Sequence, residues 1–419
     1  MRSRGFTFAA AALVVTSAGP SLPASAAAPA PARTAAPGLT NTATFGTPGG
    51  EEIPAHLIDM IKGAAAGSTI TFTAYRFENR PVADALLDAA RSRGVKVRLL
   101  VDGGAPETDG QQFGYVQRAL ADDGDDATWA RYCRQILGAP PYHSCQGTGT
   151  MHNKFVLFSD TMGASDVVST GSANLNTTSG RNTWNSWYTH VGNADLYQRF
   201  AGYFDDMAKM TADLNYYDTN PPEITGNIKS YFYPRARVPG DLSANDTFVH
   251  TLDATSCPGT IRVANWSLTR SPVAEALVQK VAEGCDVDIV ARKIHEAACV
   301  PLATAVENGV EDGGRVRMWS YRQEDGEAPN YVHTKDVMIE AGYPNTDEPA
   351  RVVFTGTGNL NRPSLEKNDE NVIRIMNDHL TYQGFVANFD RIRNHVDGSG
   401  QGFRVESVED CERTWEDKD

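Results

Sequence analysis

Two short stretches of this chain carry the same pair of reactive side chains at the same spacing. His152 and Lys154 stand in HNKFVLF, and His333 and Lys335 stand in HTKDVMI. In an extended segment side chains alternate, so imidazole, ammonium and then Val156 or Val337 share one face. A neutral imidazole can attack phosphorus, a protonated one can donate to a leaving oxygen, and an ammonium holds charge on equatorial phosphoryl oxygens. One such pair at a strand end is ordinary. Two at equivalent points of a repeated pattern predict a shared phosphate-ester site.

A second element follows each pair: Gly171-Ser172-Ala173-Asn174 in VVSTGSANLN, and Gly356-Thr357-Gly358-Asn359 in VVFTGTGNLN. Ser172 and Thr357, beside glycines that allow close backbone approach to an anion, are expected to bind the substrate phosphate. Asn174 and Asn359 add side-chain donors. An isolated copy would read as a turn with a capping Asn. With side chains as the cations, this chemistry calls for no metal and no cofactor.

What positions these groups is a long internal repeat. ITFTAYRFENRPVADALLDAARSRGVKVRLLV from Ile70 and IRVANWSLTRSPVAEALVQKVAEGCDVDIV from Ile261 both read as apolar strand, loop, helix with Pro in its first turn, and second strand. Entry segments also match, TATFGTP near residue 45 and KSYFYPR near residue 232. The halves therefore run from 40 to 215 and from 222 to 419, joined by YDTNPPEITG. Strands alternating with helices predict an α/β protein: two similar α/β/α-sandwich halves, each a mixed sheet flanked by helices. Pseudo-twofold symmetry would bring the two sets of groups together.

The duplicated His-x-Lys element followed by a Gly-Ser-x-Asn loop resembles the phospholipase D superfamily across nearly the whole mature chain. The resemblance implies a covalent phosphohistidine and an active site at the interface of the halves, with His152, Lys154, Ser172 and Asn174 from one half and His333, Lys335, Thr357 and Asn359 from the other. It also implies His152 as nucleophile and His333 as general acid, then base toward water. There are departures. The family's Asp five residues after the Lys is replaced by Ser159 and Glu340, which predicts a changed turn without loss of activity. A family carboxylate eleven residues after the Asn, which orients a catalytic imidazole, is matched by Glu370, but the first half has Asn185. One histidine is therefore expected to lack an acidic partner.

The chain begins with Arg2 and Arg4, an apolar run and small residues at Ala24-Ser25-Ala26. This predicts a signal peptide over 1–28, an Ala/Pro-rich leader over 29–39, and secretion. In an oxidising compartment the six cysteines form disulfides: Cys133 with Cys145 across a short loop, Cys257 with Cys285 at one end of two parallel strands, and Cys299 with Cys411 as the remaining pair. A net charge of −14 argues against a surface that attracts nucleic acid. The expected substrate is a phospholipid such as phosphatidylcholine, met in transient contact with a membrane surface and hydrolysed, or transferred to another alcohol. Tyr75, Trp184, Trp187 and Trp266 are candidates to flank the cleft. A nuclease and a non-catalytic phosphate-binding protein are the alternatives. Both half-sites lie in one chain, so a monomer suffices.

Overall fold

The computed structural model describes residues 38–104, 112–121, 127–133, 143–321, 331–346, 349–400 and 402–414. The expected signal peptide and nearly all of the leader lie outside these residues.

The first half supplies β1 (Thr42–Gly46), α1 (Glu52–Gly63), β2 (Thr69–Ala74), α2 (Arg80–Arg93), β3 (Lys96–Val101), α3 (Gln112–Ala121), β4 (Trp129–Tyr132), β5 (Phe155–Thr161), β6 (Ala164–Gly171), β7 (Asn185–His190) and α4 (Ala194–Ala208). A connecting stretch follows, with α5 (Tyr216–Thr219) and β8 (Glu223–Thr225). The second half supplies β9 (Ile228–Tyr233), α6 (Thr247–Asp253), β10 (Ser256–Leu268), α7 (Ser271–Ala282), β11 (Cys285–Ile294), α8 (Glu296–Asn308), β12 (Val316–Tyr321), β13 (Lys335–Gly342), β14 (Ala350–Gly356), α9 (Arg362–Glu366), β15 (Glu370–Met376), α10 (His379–Ser399) and β16 (Gly402–Val405).

The sheets are ordered β1-β7-β6-β5-β2-β3-β4 and β16-β12-β11-β10-β13-β14-β15-β9-β8. Reading the second from β9 to β12 reproduces the first strand for strand, with β8 and β16 added at its edges. β2, β3 and β4 are parallel, as are β10, β11 and β12, while the hairpin strands run antiparallel. Both sheets are therefore mixed, and the two-half α/β sandwich expected from the repeat is the fold.

Local sequence accounts for the crossover helices. Asn79 caps α2 by accepting from the Val82 N–H, Pro81 fits its first turn, and Gly94 closes it in the left-handed conformation at φ +62°. Pro272 plays the same part in α7.

Residues 38–419 form one compact unit with three apolar layers. One packs α1, α2 and α3 on the outer face of the first sheet, and another packs α6, α7 and α8 on the outer face of the second. The third, between the sheets, holds α4 and α10 with Phe155, Leu157, Met338 and Val353. Alternation thus sends Phe155 and Leu157 into the central layer and Val156 and Phe158 outward.

The three disulfides join Cys133 to Cys145, Cys257 to Cys285 and Cys299 to Cys411. Cys257–Cys285 links the ends of β10 and β11, which pair in parallel with Gly259 opposite Cys285. Such bonds are the mark of an oxidising compartment. Among the described residues no helix is long and apolar enough to cross a membrane.

The expected turn change at Ser159 and Glu340 does not occur. Both lie inside strands β5 and β13. Ser159 Oγ accepts from the Thr69 N–H at 2.9 Å, which anchors the start of β2, and Glu340 pairs with Arg351 at 3.0 Å near the surface.

Candidate active site

Each histidine lies just ahead of its strand rather than within it, in an extended segment that pairs with the other half. The His152 N–H donates to Asp369 O at 3.0 Å, and the Asp369 N–H donates to Thr150 O at 3.0 Å. On the other side of the pseudo-twofold, the His333 N–H donates to Trp184 O at 2.8 Å and the Trp184 N–H to Tyr331 O at 3.0 Å. Residues 370 and 185 come next in line, so backbone pairing across the halves delivers them to the opposite imidazoles. His152 Nδ1 meets Glu370 Oε2 at 2.9 Å, and His333 Nδ1 meets Asn185 Oδ1 at 3.0 Å.

Hydrogen-bond partners fix both tautomers. Glu370 is an acceptor. The Asn185 amide nitrogen donates to Gly180 O and Thr183 Oγ1, both at 2.9 Å, which turns its oxygen toward His333. Each imidazole must then donate through Nδ1, leaving the Nε2 lone pair for chemistry.

Burial is nearly complete. His152, Lys154, His333 and Lys335 are at most 9 % exposed. Burial drives the His152 pKa down to about 4 against the pull of Glu370, with Lys154 and Lys335 pushing the same way as burial. Burial also lowers Lys154 to about 7. His333 is held well below its usual range, first by burial and then by repulsion from Lys335, Lys154 and His152. Lys335 is lowered by burial and by Lys154. That groups of one half repel those of the other reflects how close the two half-sites lie. For Glu370 burial acts upward, but His152, Lys154 and Thr357 together hold it below the usual carboxylate range. At neutral pH the pair is therefore carboxylate and neutral imidazole. Lys154 Nζ donates to His152 O at 2.7 Å and Lys335 Nζ to His333 O, each keeping donors for another acceptor. Such a site is short of an anion.

The sign of one pH effect follows. Lys154, with a pKa of about 7 in the free protein, must take up a proton as an anion binds above that pH, so affinity falls as pH rises. Sulfate, whose charge is constant over this range, is expected to bind more weakly at pH 8 than at pH 6, with a slope approaching about tenfold per unit. Titration calorimetry measures it; a flat profile would contradict this role for Lys154.

The hydroxyls of Ser172 and Thr357, expected to bind the substrate phosphate, are engaged with the protein itself. Ser172 Oγ donates to Asn185 Oδ1 at 2.8 Å and accepts from the Ser186 N–H at 3.0 Å. Thr357 Oγ1 donates to Asn371 O at 3.1 Å and accepts from the Asn371 N–H at 3.0 Å. Their own backbone N–H groups pair with Ser186 O and Asn371 O, so these two donors are already used. The glycines serve close packing instead: a Cβ at Gly171 would lie 2.3 Å from Ser186 O, and one at Gly356 2.5 Å from Asn371 O. The Gly-Ser-x-Asn loop is a clamp on the residues that orient the imidazoles.

Asn174 and Asn359 are buried at the same loops. Asn174 Nδ2 donates to Ser179 Oγ at 2.6 Å, the Asn359 N–H donates to Ser364 Oγ at 3.1 Å, and neither Oδ1 has a hydrogen-bond partner. Of the four aromatics, Tyr75 and Trp266 flank the imidazoles, with ring centroids 4.9 Å from His152 and 6.3 Å from His333. Trp187 is a core residue whose Nε1 donates to Ser169 Oγ, and Trp184 is buried against His395.

Three buried carboxylates escaped the sequence reading. Asp369 accepts from the N–H groups of Cys145, Gln146 and Gly147, tying the loop stapled by Cys133–Cys145 to Glu370; burial raises its pKa to about 7. Asp102 accepts from the Met151 N–H at 2.9 Å, and burial raises it to about 6. Asp336, raised by burial to about 7, accepts from Ser186 Oγ at 2.7 Å and Thr355 Oγ1 at 2.8 Å, joining β13 to β7.

A family profile described as "Cardiolipin synthase, PLD-like domain" matches residues 57–208 and 249–393, more than half of the chain and both His-x-Lys elements. The chain belongs to this PLD-like domain family. PLD-like proteins are phosphodiesterases and phospholipid-modifying enzymes, and the pseudo-twofold His/Lys site described above fits that chemistry. No curated protein matches the chain. Among solved structures, phosphatidylserine synthase from Haemophilus influenzae Rd KW20 aligns with a TM-score of 0.56 at 12 % identity, over 87 % of this chain and 88 % of its own. Polyphosphate kinase from Porphyromonas gingivalis aligns with a TM-score of 0.55 at 14 % identity, over 88 % of this chain. That alignment spans 48 % of the kinase, so this chain covers about half of its length. Both likenesses concern the PLD-like fold.

Proposed function

We propose that this chain is a secreted phospholipase D that transfers the phosphatidyl group of a phospholipid to water, and to other alcohols when they are present. The observation that carries this reading is the pair of cross-half contacts, His152 with Glu370 and His333 with Asn185, which gives the two imidazoles unlike partners. His152 Nε2 attacks phosphorus and the bond to the head-group oxygen breaks, while His333, which takes a proton on Nε2 as the substrate anion binds, gives that proton to the leaving oxygen. The phosphohistidine formed is cationic at the ring, and Glu370 stabilises that charge. Asn185 contributes no charge, so His333 remains a stronger acid once protonated beside the substrate anion. Water or an alcohol then passes its proton back to His333 and attacks phosphorus, releasing His152. Lys154 and Lys335 hold the equatorial oxygens in both steps.

A phospholipid as substrate is supported by the family description, by the likeness to a phosphatidylserine synthase, and by Tyr75 and Trp266 beside the imidazoles. Secretion is supported by the N-terminal Arg/apolar/Ala pattern and the three disulfides. Action as a monomer is supported by both half-sites lying in one chain, so that no second copy is needed to complete the site.

The test is incubation with phosphatidylcholine vesicles, ethanol and excess chelator, followed by mass spectrometry. Phosphatidylethanol is the expected product. If neither it nor phosphatidic acid forms, the lipid reading fails, and turnover of oligonucleotides under the same conditions would put a nuclease in its place.

A further inference from the structure

The second sheet carries a cationic concavity that the chemistry above does not use. Its floor is the β9–β15 ladder, where Lys229 stands directly opposite Arg374. Like charges opposed across an antiparallel pair destabilise it, and among the described residues no carboxylate of the concavity offsets them. Lys229 is shifted downward, first by burial and then by Arg374. Arg374 is 8 % exposed, donates through Nη1 to Tyr343 Oη at 3.4 Å, and leaves its Nε without a hydrogen-bond partner. His250 from α6 adds a third basic group, and among the described residues no Asp or Glu lines the concavity. The whole chain has 52 Asp and Glu against 38 Lys and Arg, so a hollow lined, among the described residues, by Lys229 and Arg374 and by no carboxylate departs from the average surface.

Its shape suits a ligand. The volume is about 570 Å³, and the walls are Tyr231 and Tyr343, with Ile224, 62 % exposed, at the rim. Arg374 lies four residues from Glu370 along β15, about 13 Å at the rise of a strand, so this is a separate place from the catalytic pair.

We propose that this concavity is a second anion site, taking a phosphate monoester or inorganic phosphate between Lys229 and Arg374, with tyrosine hydroxyls completing its hydrogen bonds. The opposed Lys229 ammonium and Arg374 guanidinium match the charge and donor demand of a tetrahedral oxyanion. An exposed aliphatic rim also admits a monoester whose remainder is a lipid.

The experiment uses the His152→Ala chain, so that no lipid is consumed and the outcome does not depend on the phospholipase reading. Thermal unfolding is followed against inorganic phosphate, and vesicle flotation against phosphatidylcholine with and without phosphatidic acid, each for the parent and for Lys229→Gln. Lys229 is half-buried, so its neutralisation leaves the sheet intact; Tyr343→Phe provides a second, milder variant. A saturable rise in Tm with inorganic phosphate, weakened at least about tenfold by Lys229→Gln, identifies a free-phosphate site. Flotation that requires phosphatidic acid and is lost in Lys229→Gln identifies a lipid phosphate monoester. The proposal is overturned if neither probe acts on the parent, or if both variants respond as the parent does, which would assign the binding to the catalytic lysines.

Discussion

His152→Ala is expected to eliminate turnover of every phosphodiester, whereas His333→Ala is expected to fail selectively. With His152 gone there is no Nε2 to form the phosphoryl-enzyme, and the nature of the leaving group cannot compensate. With His333 gone, the first step lacks only a proton donor. An alkyl head group then leaves about 10²–10⁴ times more slowly, the usual worth of general acid catalysis, but a nitrophenolate leaves as a stable anion and needs no proton. The second step still lacks its base. His333→Ala should therefore release nitrophenol in a burst equal to the enzyme present and then stall, with the remaining phosphoryl ester held on His152 in the intact-protein mass. His152→Ala should show neither burst nor adduct. The reverse pattern would exchange the two roles; a burst in both would remove the covalent mechanism.

Much of this site was legible because the repeat prints it twice. His-x-Lys recurs at equivalent points, and Glu370 and Asn185 fall at the same distance from Asn359 and Asn174. What the spacing did not disclose is that each orienting residue serves the other half. That depends on Met151 bridging Asp369 and Trp184 bridging Val332, pairings between segments far apart in sequence. The parts given to Ser172 and Thr357 went astray for a related reason. A hydroxyl beside a glycine looks like an anion binder, and only the packing of β6 on β7 and of β14 on β15 shows that its bonds are already spent. Asp102, Asp336 and Asp369 carry no mark in the sequence, since burial of a single carboxylate leaves no periodic signal. The cysteine pairing was accessible because parallel β10 and β11 bring Cys257 and Cys285 to one sheet end.

An amide is tolerated at position 185 but is expected to be ruinous at position 370. The difference lies in what surrounds each side chain. Asn185 has acceptors about its nitrogen, Gly180 O and Thr183 Oγ1, so its oxygen points to His333. Glu370 has donors about Oε1, with Ser364 Oγ at 2.7 Å and Asn368 Nδ2 at 3.1 Å. In Glu370→Gln the amide oxygen takes the Oε1 place to accept from both, and the NH₂ faces His152 Nδ1. The imidazole must then accept at Nδ1 and carry its proton on Nε2, so the nucleophilic lone pair is lost. Forcing the wrong tautomer on a catalytic histidine costs about 10⁴ in kcat where the same carboxylate-to-amide change has been made in a serine protease triad, and a loss of about 10³–10⁴ is expected here. Folding should persist, because the amide keeps the hydrogen bonds to Ser364 and Asn368. Ser364→Ala with Asn368→Leu in the Gln background frees the amide to rotate and should restore part of the lost rate. A merely structural role for Glu370 would predict further loss from those added changes, and activity of Glu370→Gln within tenfold of the parent would remove the tautomer argument altogether.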